Sequence, residues 1–334
     1  MACRASLIAA LAVYAAALVG CGSDADQPGE TDSQLTIAVI PKGTTHEFWK
    51  SIHAGAVRAE RELDGVRVIW KGPIVEDDRA AQIEVVETFT AKRVDGIAVA
   101  PLDDRALVRP IRAARDAGIP VVILDSGLQD PDAYVSFVAT DNYNGGAIAG
   151  RAVAEALGQN GGRVILLRYQ VGSASTANRE KGFLDEIAKH PAIEVLSADQ
   201  YAGPTVETAM TAAETLLTKF GPRQVDAIFC PNESSTYGML QALRRTGHAG
   251  NVRFVGFDVS EKLIEALRDG QLHALVVQNP FRMGYEGVRT TVAAARGQSV
   301  PPRIDTGVTL VTADNLADPD VDRLIHPPLK EYLE

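Results

Sequence analysis

From residue 35 onward the chain alternates between short apolar, β-branched runs and longer stretches of helical periodicity, and few folds accept that pattern. The runs stand at 36–40, 66–70, 96–100 and 120–124, with helical patterns at 47–63, 79–92 and 103–117 between them. The alternation then repeats, with strands expected at 163–168, 193–198, 226–230, 253–257 and 274–277. Helices are expected at 145–157, 176–188, 206–219, 234–246, 260–268 and 281–295. Continuous apolar strands divided by helices predict a parallel sheet covered on both faces. These are too many strand–helix units for one small sheet, so the predicted class is α/β with two doubly wound parallel-sheet lobes. Ligands of such sheets bind at the carboxyl ends of the strands. The residues that directly follow each strand are therefore the candidate site.

The first 34 residues do not share the alternation. Arg4 precedes an apolar run at 7–18, which ends in Leu18-Val19-Gly20-Cys21. A bilayer-spanning helix needs about 20 apolar residues, so the run reads as a secretory signal peptide over 1–20. Its ending resembles the lipobox of bacterial lipoproteins, which implies cleavage before Cys21 and lipidation of that residue. Residues 22–34 are polar and acidic and read, with Cys21, as a flexible tether. The chain is then extracytoplasmic and lipid-anchored to a bacterial membrane. Cys3 leaves with the signal and Cys21 carries lipid, so Cys230 is left without a disulfide partner and, following Ile228-Phe229, is expected to be buried. The net charge of −10, with no Lys/Arg-rich cluster, argues against a nucleic-acid partner.

The strand ends are rich in polar groups and aromatics. Lys42, His46, Glu47, Phe48 and Trp49 follow the first strand, and Asp125-Ser126 the fourth. Asn178-Arg179, Tyr201, Asn232-Glu233, Asp258 and Gln278 follow later ones. Carboxylates accept from paired hydroxyls, amides donate and accept, and a guanidinium donates in a fixed fork. With aromatic faces to cover C–H surfaces, the set suits a small sugar or polyol. Nothing in it points to chemistry. There is no GxSxG, HExxH or P-loop, and histidines 46, 53, 190, 248, 273 and 326 lack metal-ligand spacing. No catalytic residue, metal or cofactor is expected. Thr140-Asp141-Asn142 reads as a helix N-cap region, and Gly145, Gly146 and Gly150 as close helix packing rather than a phosphate loop.

The segments IAVIPKGTTHEFWKSIHAGA, VDGIAVAPLD, GIPVVILDS, VATDNYNGGAIAG, ANREKGF, DAIFCPNE, VRFVGFD and ALVVQNP resemble, in order, those of periplasmic binding proteins of the ribose/galactose type. The resemblance runs from Leu35 to about Asn315. It implies type I architecture and no enzymatic activity. Phe48 and Trp49 match the aromatics that flank a sugar ring, and Asp125 the carboxylate on adjacent hydroxyls. Arg179, Asn232, Asp258 and Gln278 match second-lobe and hinge-side contacts, and Tyr201 an aromatic that closes the pocket. Thr45-His46-Glu47 replaces the Asn-Asn-Pro of ribose receptors. Ile40-Pro41-Lys42, Gly72-Pro73 and Asp125-Ser126 are instead similar to the autoinducer-2 and rhamnose branch, in which the lysine reaches the ligand.

The implied organisation is a first lobe of 35–140 with 279–306 and a second of 141–278 with 307–334. A hinge of three parallel strands joins them, crossing near Asp141, Gln278 and Gly307. The implied role is a monomeric solute-binding lipoprotein that serves an ABC permease in the inner membrane. The alternative is a receptor that presents a sugar or autoinducer-2 to a sensor kinase or chemoreceptor.

Overall fold

The computed structural model describes residues 34–334. The expected signal peptide, Cys21 and residues 22–33 of the tether lie outside the described residues. The first lobe comprises β1 (Leu35–Ile40), α1 (Glu47–Glu62), β2 (Val66–Trp70), α2 (Arg79–Ala91), β3 (Gly96–Val99), α3 (Val108–Asp116), β4 (Val121–Leu124) and β5 (Ser136–Ala139). The second begins with α4 (Asn142–Leu157), β6 (Gly162–Leu166), α5 (Ala174–Ile187), β7 (Ile193–Ser197) and α6 (Val206–Phe220). It continues through β8 (Ala227–Phe229), α7 (Glu233–Arg245), β9 (Arg253–Phe257), α8 (Glu261–Arg268) and β10 (Ala274–Gln278). The chain then returns to the first lobe through α9 (Pro280–Ala295) and β11 (Arg303–Asp305), and to the second through β12 (Val308–Val311) and α10 (Pro319–Ile325).

The sheets run β2-β1-β3-β4-β5-β11 and β7-β6-β8-β9-β10-β12, the same order twice. Each is covered on both faces. Val86 and Phe89 of α2 pack with Ile111 of α3 below the first sheet, while Trp49 and Ile52 of α1 pack with Met283 and Val288 of α9 above it. In the second lobe α6, α7 and α8 cover one face, and α4 with α5 the other. Burial on both faces explains why β3 and β4 are apolar throughout and β10 is apolar up to Gln278.

The chain passes between lobes after Ala139, after Gln278 and after Asp305. Thr140 Oγ1 donates to the Gly307 carbonyl at 3.0 Å, tying the first passage to the third. The passages are not all parallel as expected: β11 lies parallel to β5, but β12 lies antiparallel to β10. A second departure is α11 (Leu329–Leu333), expected with the second lobe but packed on α1 of the first. Arg61 of α1 donates to the carbonyl of Glu331 at 2.9 Å and holds it there. The third helix starts at Val108 rather than Asp103, because the Asp103 carboxylate takes the N–H groups of Arg105 and Ala106 and forms a turn first.

Candidate functional site

A sheet of order 2-1-3-4-5 has its switch point between the first and third strands, and the crevice there opens beyond their carboxyl ends. In the first lobe the loop after β1 supplies Lys42 and His46, and the start of α1 supplies Phe48 and Trp49. In the second, β8 leads into Asn232, whose side chain caps α7 by accepting from Ser235 N at 3.2 Å. Asp125 and Asp258 follow β4 and β9, the matching strands of the two sheets. Folding therefore aims two equivalent sets of polar side chains at one interlobe cavity.

Nine of the ten expected ligand-binding residues meet there: Lys42, His46, Phe48, Trp49, Asp125, Arg179, Asn232, Asp258 and Gln278. Lys42 Nζ lies 3.1 Å from Asp125 and donates across the gap to Ser175 at 3.0 Å and Ser173 at 3.3 Å. Arg179 donates through Nε to Asn142 at 2.7 Å and through Nη1 to the Pro231 carbonyl at 2.9 Å, with Phe257 beneath its guanidinium at 3.9 Å. It also stands 3.6 Å from Asp258 and 3.8 Å from Asp125. Gln278 donates to Asp258 at 2.6 Å, while its own Oε1 is buried without a hydrogen-bond partner. An orphaned buried acceptor at this junction suits a hydroxyl donor.

The lobes are closed on one another. Phe48 N donates to Glu233 at 3.3 Å, Ser175 N to Ser126 at 3.1 Å and the Tyr169 hydroxyl to Glu76 at 2.9 Å. About 30 Å³ of cavity remains among the side chains, the room of one or two waters. Any larger ligand must exchange places with these pairs as the lobes part. Electrostatics divides the carboxyl groups. Burial favours the neutral acid in Glu233 and, despite the nearby His46 charge, lifts its pKa to about 7. Burial likewise raises Asp258 against the pull of Arg179. For Glu76 burial acts the same way, but the His46 charge and hydrogen bond outweigh it and bring the pKa down to about 2.

Tyr201 is the exception among the expected residues. It lies 36% exposed beneath Arg168, 5.1 Å from the guanidinium, and does not line the cavity. The backbone beyond its strand, β7, bridges to Arg168 and leaves the Tyr201 ring at the surface. Trp70 likewise stacks on His53 at 4.5 Å, away from the cavity. Glu76, Ser175 and Thr176 line the cavity without having been expected to, and so does Glu233, which was noted at its strand end but not assigned a ligand contact. A larger cavity of about 470 Å³ lies alongside, walled mainly by apolar residues such as Val259, Leu324 and Pro328. It shares Phe48, Asp258 and Gln278 but none of Lys42, His46 or Arg179, so the convergence of charge marks the smaller one as the candidate site. No group of residues able to hold a metal ion occurs among the described residues. Nor is any helix among them long and apolar enough to cross a membrane.

The family model of the periplasmic binding protein domain matches residues 37–299. A D-ribose/D-allose-binding protein of Pseudomonas aeruginosa is 29% identical over 294 residues, which cover 85% of this chain and 91% of that protein. Among solved structures, an ABC transporter solute-binding protein from Agrobacterium vitis with bound D-fucose superposes with a TM-score of 0.83 at 32% identity, covering 87% of this chain and all of the other. A carbohydrate transporter solute-binding protein from Agrobacterium radiobacter in complex with D-arabinose gives 0.83 at 34% identity, covering 88% and 99%. The chain belongs to the periplasmic binding protein domain family, in its type I, ribose/galactose-type group. Its relatives are binding proteins of transport systems, not enzymes.

Proposed function

We propose that this periplasmic binding protein captures a small uncharged sugar or polyol between its lobes and delivers it, as a monomer, to an ABC permease of the inner membrane, held nearby by a lipid on Cys21. The observation that carries this reading is the charge balance of the cavity. Lys42, His46 and Arg179 face Glu76, Asp125 and Asp258, and Glu233 sits near its own midpoint at neutral pH. A neutral ligand leaves that balance intact, whereas a charged one would have to break it inside a buried site. Phe48 and Trp49, 5.0 Å apart and edge to face, supply aromatic surface beside the polar groups.

Capture works by partner exchange. In the closed form each charge already has a protein partner, so ligand hydroxyls must replace those bonds rather than add to them. Each charge-assisted bond is worth about 1.5–3 kcal/mol net, and micromolar affinity needs about 8 kcal/mol in total. A ligand that satisfies both lobes at once, including the orphaned Gln278 acceptor, therefore closes the protein, and one that reaches a single lobe does not. Thermal shift against D-ribose, D-allose, D-arabinose and D-fucose, with glutamate and ribose 5-phosphate as charged controls, tests the reading. At least one neutral sugar should raise the melting temperature and neither control should. A shift with a charged control alone, or with none of the sugars, refutes it.

A further inference from the structure

Glu76 stands between β2 and α2 and is buried. Its carboxylate accepts from His46 Nδ1 at 2.6 Å and Trp49 Nε1 at 2.6 Å, both of the first lobe. It also accepts from the Tyr169 hydroxyl of the second lobe at 2.9 Å, and its backbone carbonyl accepts from Gln170 Nε2 at 2.7 Å. A carboxylate offers about four acceptor positions. Protein donors fill three of these, so Glu76 acts through its partners and not by gripping a ligand itself.

We propose that Glu76 is the positioning residue of the cleft: it fixes the His46 ring and the Trp49 indole, and Tyr169 makes that arrangement conditional on closure. The inference deepens the reading of the cleft as a ligand site and rests on it. With Nδ1 taken by Glu76, Nε2 is the ring atom of His46 left to a ligand, by the logic through which a carboxylate orients an imidazole elsewhere. Burial alone would keep that ring neutral. Glu76 overrides it, helped by Glu233 and Asp258, and lifts the His46 pKa to about 9. Nε2 is therefore a charged donor at neutral pH, and the ligand must present an acceptor oxygen to it, a ring oxygen or a hydroxyl lone pair. The indole, held by its N–H, cannot rotate away from Phe48. When the lobes part, Tyr169 leaves Glu76 and the carboxylate loses one of three donors, which couples the aim of His46 to the closed state.

Two variants separate the halves of the proposal. The imidazole resonance of His46, assigned by its loss in His46→Gln, is titrated by proton NMR without any sugar. In the wild type it should remain protonated through pH 8. In Glu76→Gln its midpoint should fall to 6.5 or below, since burial is then opposed only by Glu233 and Asp258. A residue that merely filled space would leave the titration unmoved. Tyr169→Phe should keep the high His46 midpoint yet release bound sugar about tenfold faster in stopped-flow tryptophan fluorescence, with whichever of the four sugars above gives the largest thermal shift. An unmoved titration in Glu76→Gln, or an unchanged release rate in Tyr169→Phe, overturns the proposal. If Glu76→Gln does not fold, Tyr169→Phe still decides. If no sugar binds the wild type, the ligand reading fails while the titration judges Glu76 on its own.

Discussion

Asp125 and Asp258 both occupy left-handed backbone, with φ of 55° and 68°, at matching ends of two sheets. Aspartate and asparagine tolerate that region, while other side chains carry a cost of about 1–2 kcal/mol there. The two positions therefore select for a short polar side chain twice over, once by conformation and once by the cations they face. Asp125→Asn and Asp125→Ala should both weaken sugar binding by about ten- to a hundredfold, the value of a charge-assisted bond. Only the alanine variant should lose a further ~1 kcal/mol of stability. Calorimetric titration and urea midpoints separate the two effects, and equal midpoints would deny a role to the backbone. Residues at strand ends were legible in the sequence because sheet topology alone places them. Glu76 was not: within Glu76-Asp77-Asp78 it reads as one of a solvated acidic run, whereas the fold buries it among His46, Trp49 and Tyr169. Glu233 was visible at its strand end but carried no ligand assignment, since an acid in the first turn of a helix needs no further explanation.

Helix pairs carry the site residues, and glycine sets how near the helices come. A Cβ on Gly146 of α4 would stand 1.9 Å from the carbonyl oxygen of Arg179 in α5, and one on Gly182 of α5 would stand 2.0 Å from that of Tyr143. The first lobe repeats the device, with Gly284 of α9 against Ile52 of α1 at 1.9 Å. Gly146→Ala must therefore push α5 outward and take Arg179 with it. The expected result is a loss of 1–3 kcal/mol, the usual cost of overpacking, together with weaker sugar binding although residue 146 does not line the cavity. Denaturant unfolding and calorimetry check both, and a variant that lost stability but bound normally would uncouple the helix from the site. At this scale the long elements were legible from periodicity. The three-residue β11 and four-residue β5 and β12 were not, because pairing with β5, β4 and β10 makes them strands and their own composition does not.

At the largest scale the described residues form two similar lobes whose closure brings acid groups into a shared interior, and that has a consequence for pH. Glu233 of the second lobe accepts from Phe48 N of the first. Around it stand His46, whose charge favours its ionised form, and Asp258, whose charge opposes it, with burial the largest influence of all. Its pKa of about 7 in the fold exceeds the ~4.3 of a free glutamate. A group raised in this way contributes stability that is complete below the unfolded value and is lost as pH rises through the folded one. His46, raised to about 9 from ~6.5, loses its contribution later, between those two values. Glu76, lowered to about 2, loses its own only in acid, as pH falls below ~4.3. Between pH 4.5 and 6.5, before His46 begins to lose its contribution, the decline should therefore trace to the raised carboxyls, Glu233 with Asp258, and Glu233→Gln isolates the share of Glu233. Glu233→Gln, which cannot ionise, should gain stability relative to the wild type across that window and hold the gain above pH 7.5, as read from urea midpoints at half-unit steps. A difference between the two proteins that stays constant from pH 4.5 to 8 would mean that the acid meets solvent, and that the lobes do not close over it as the cleft requires.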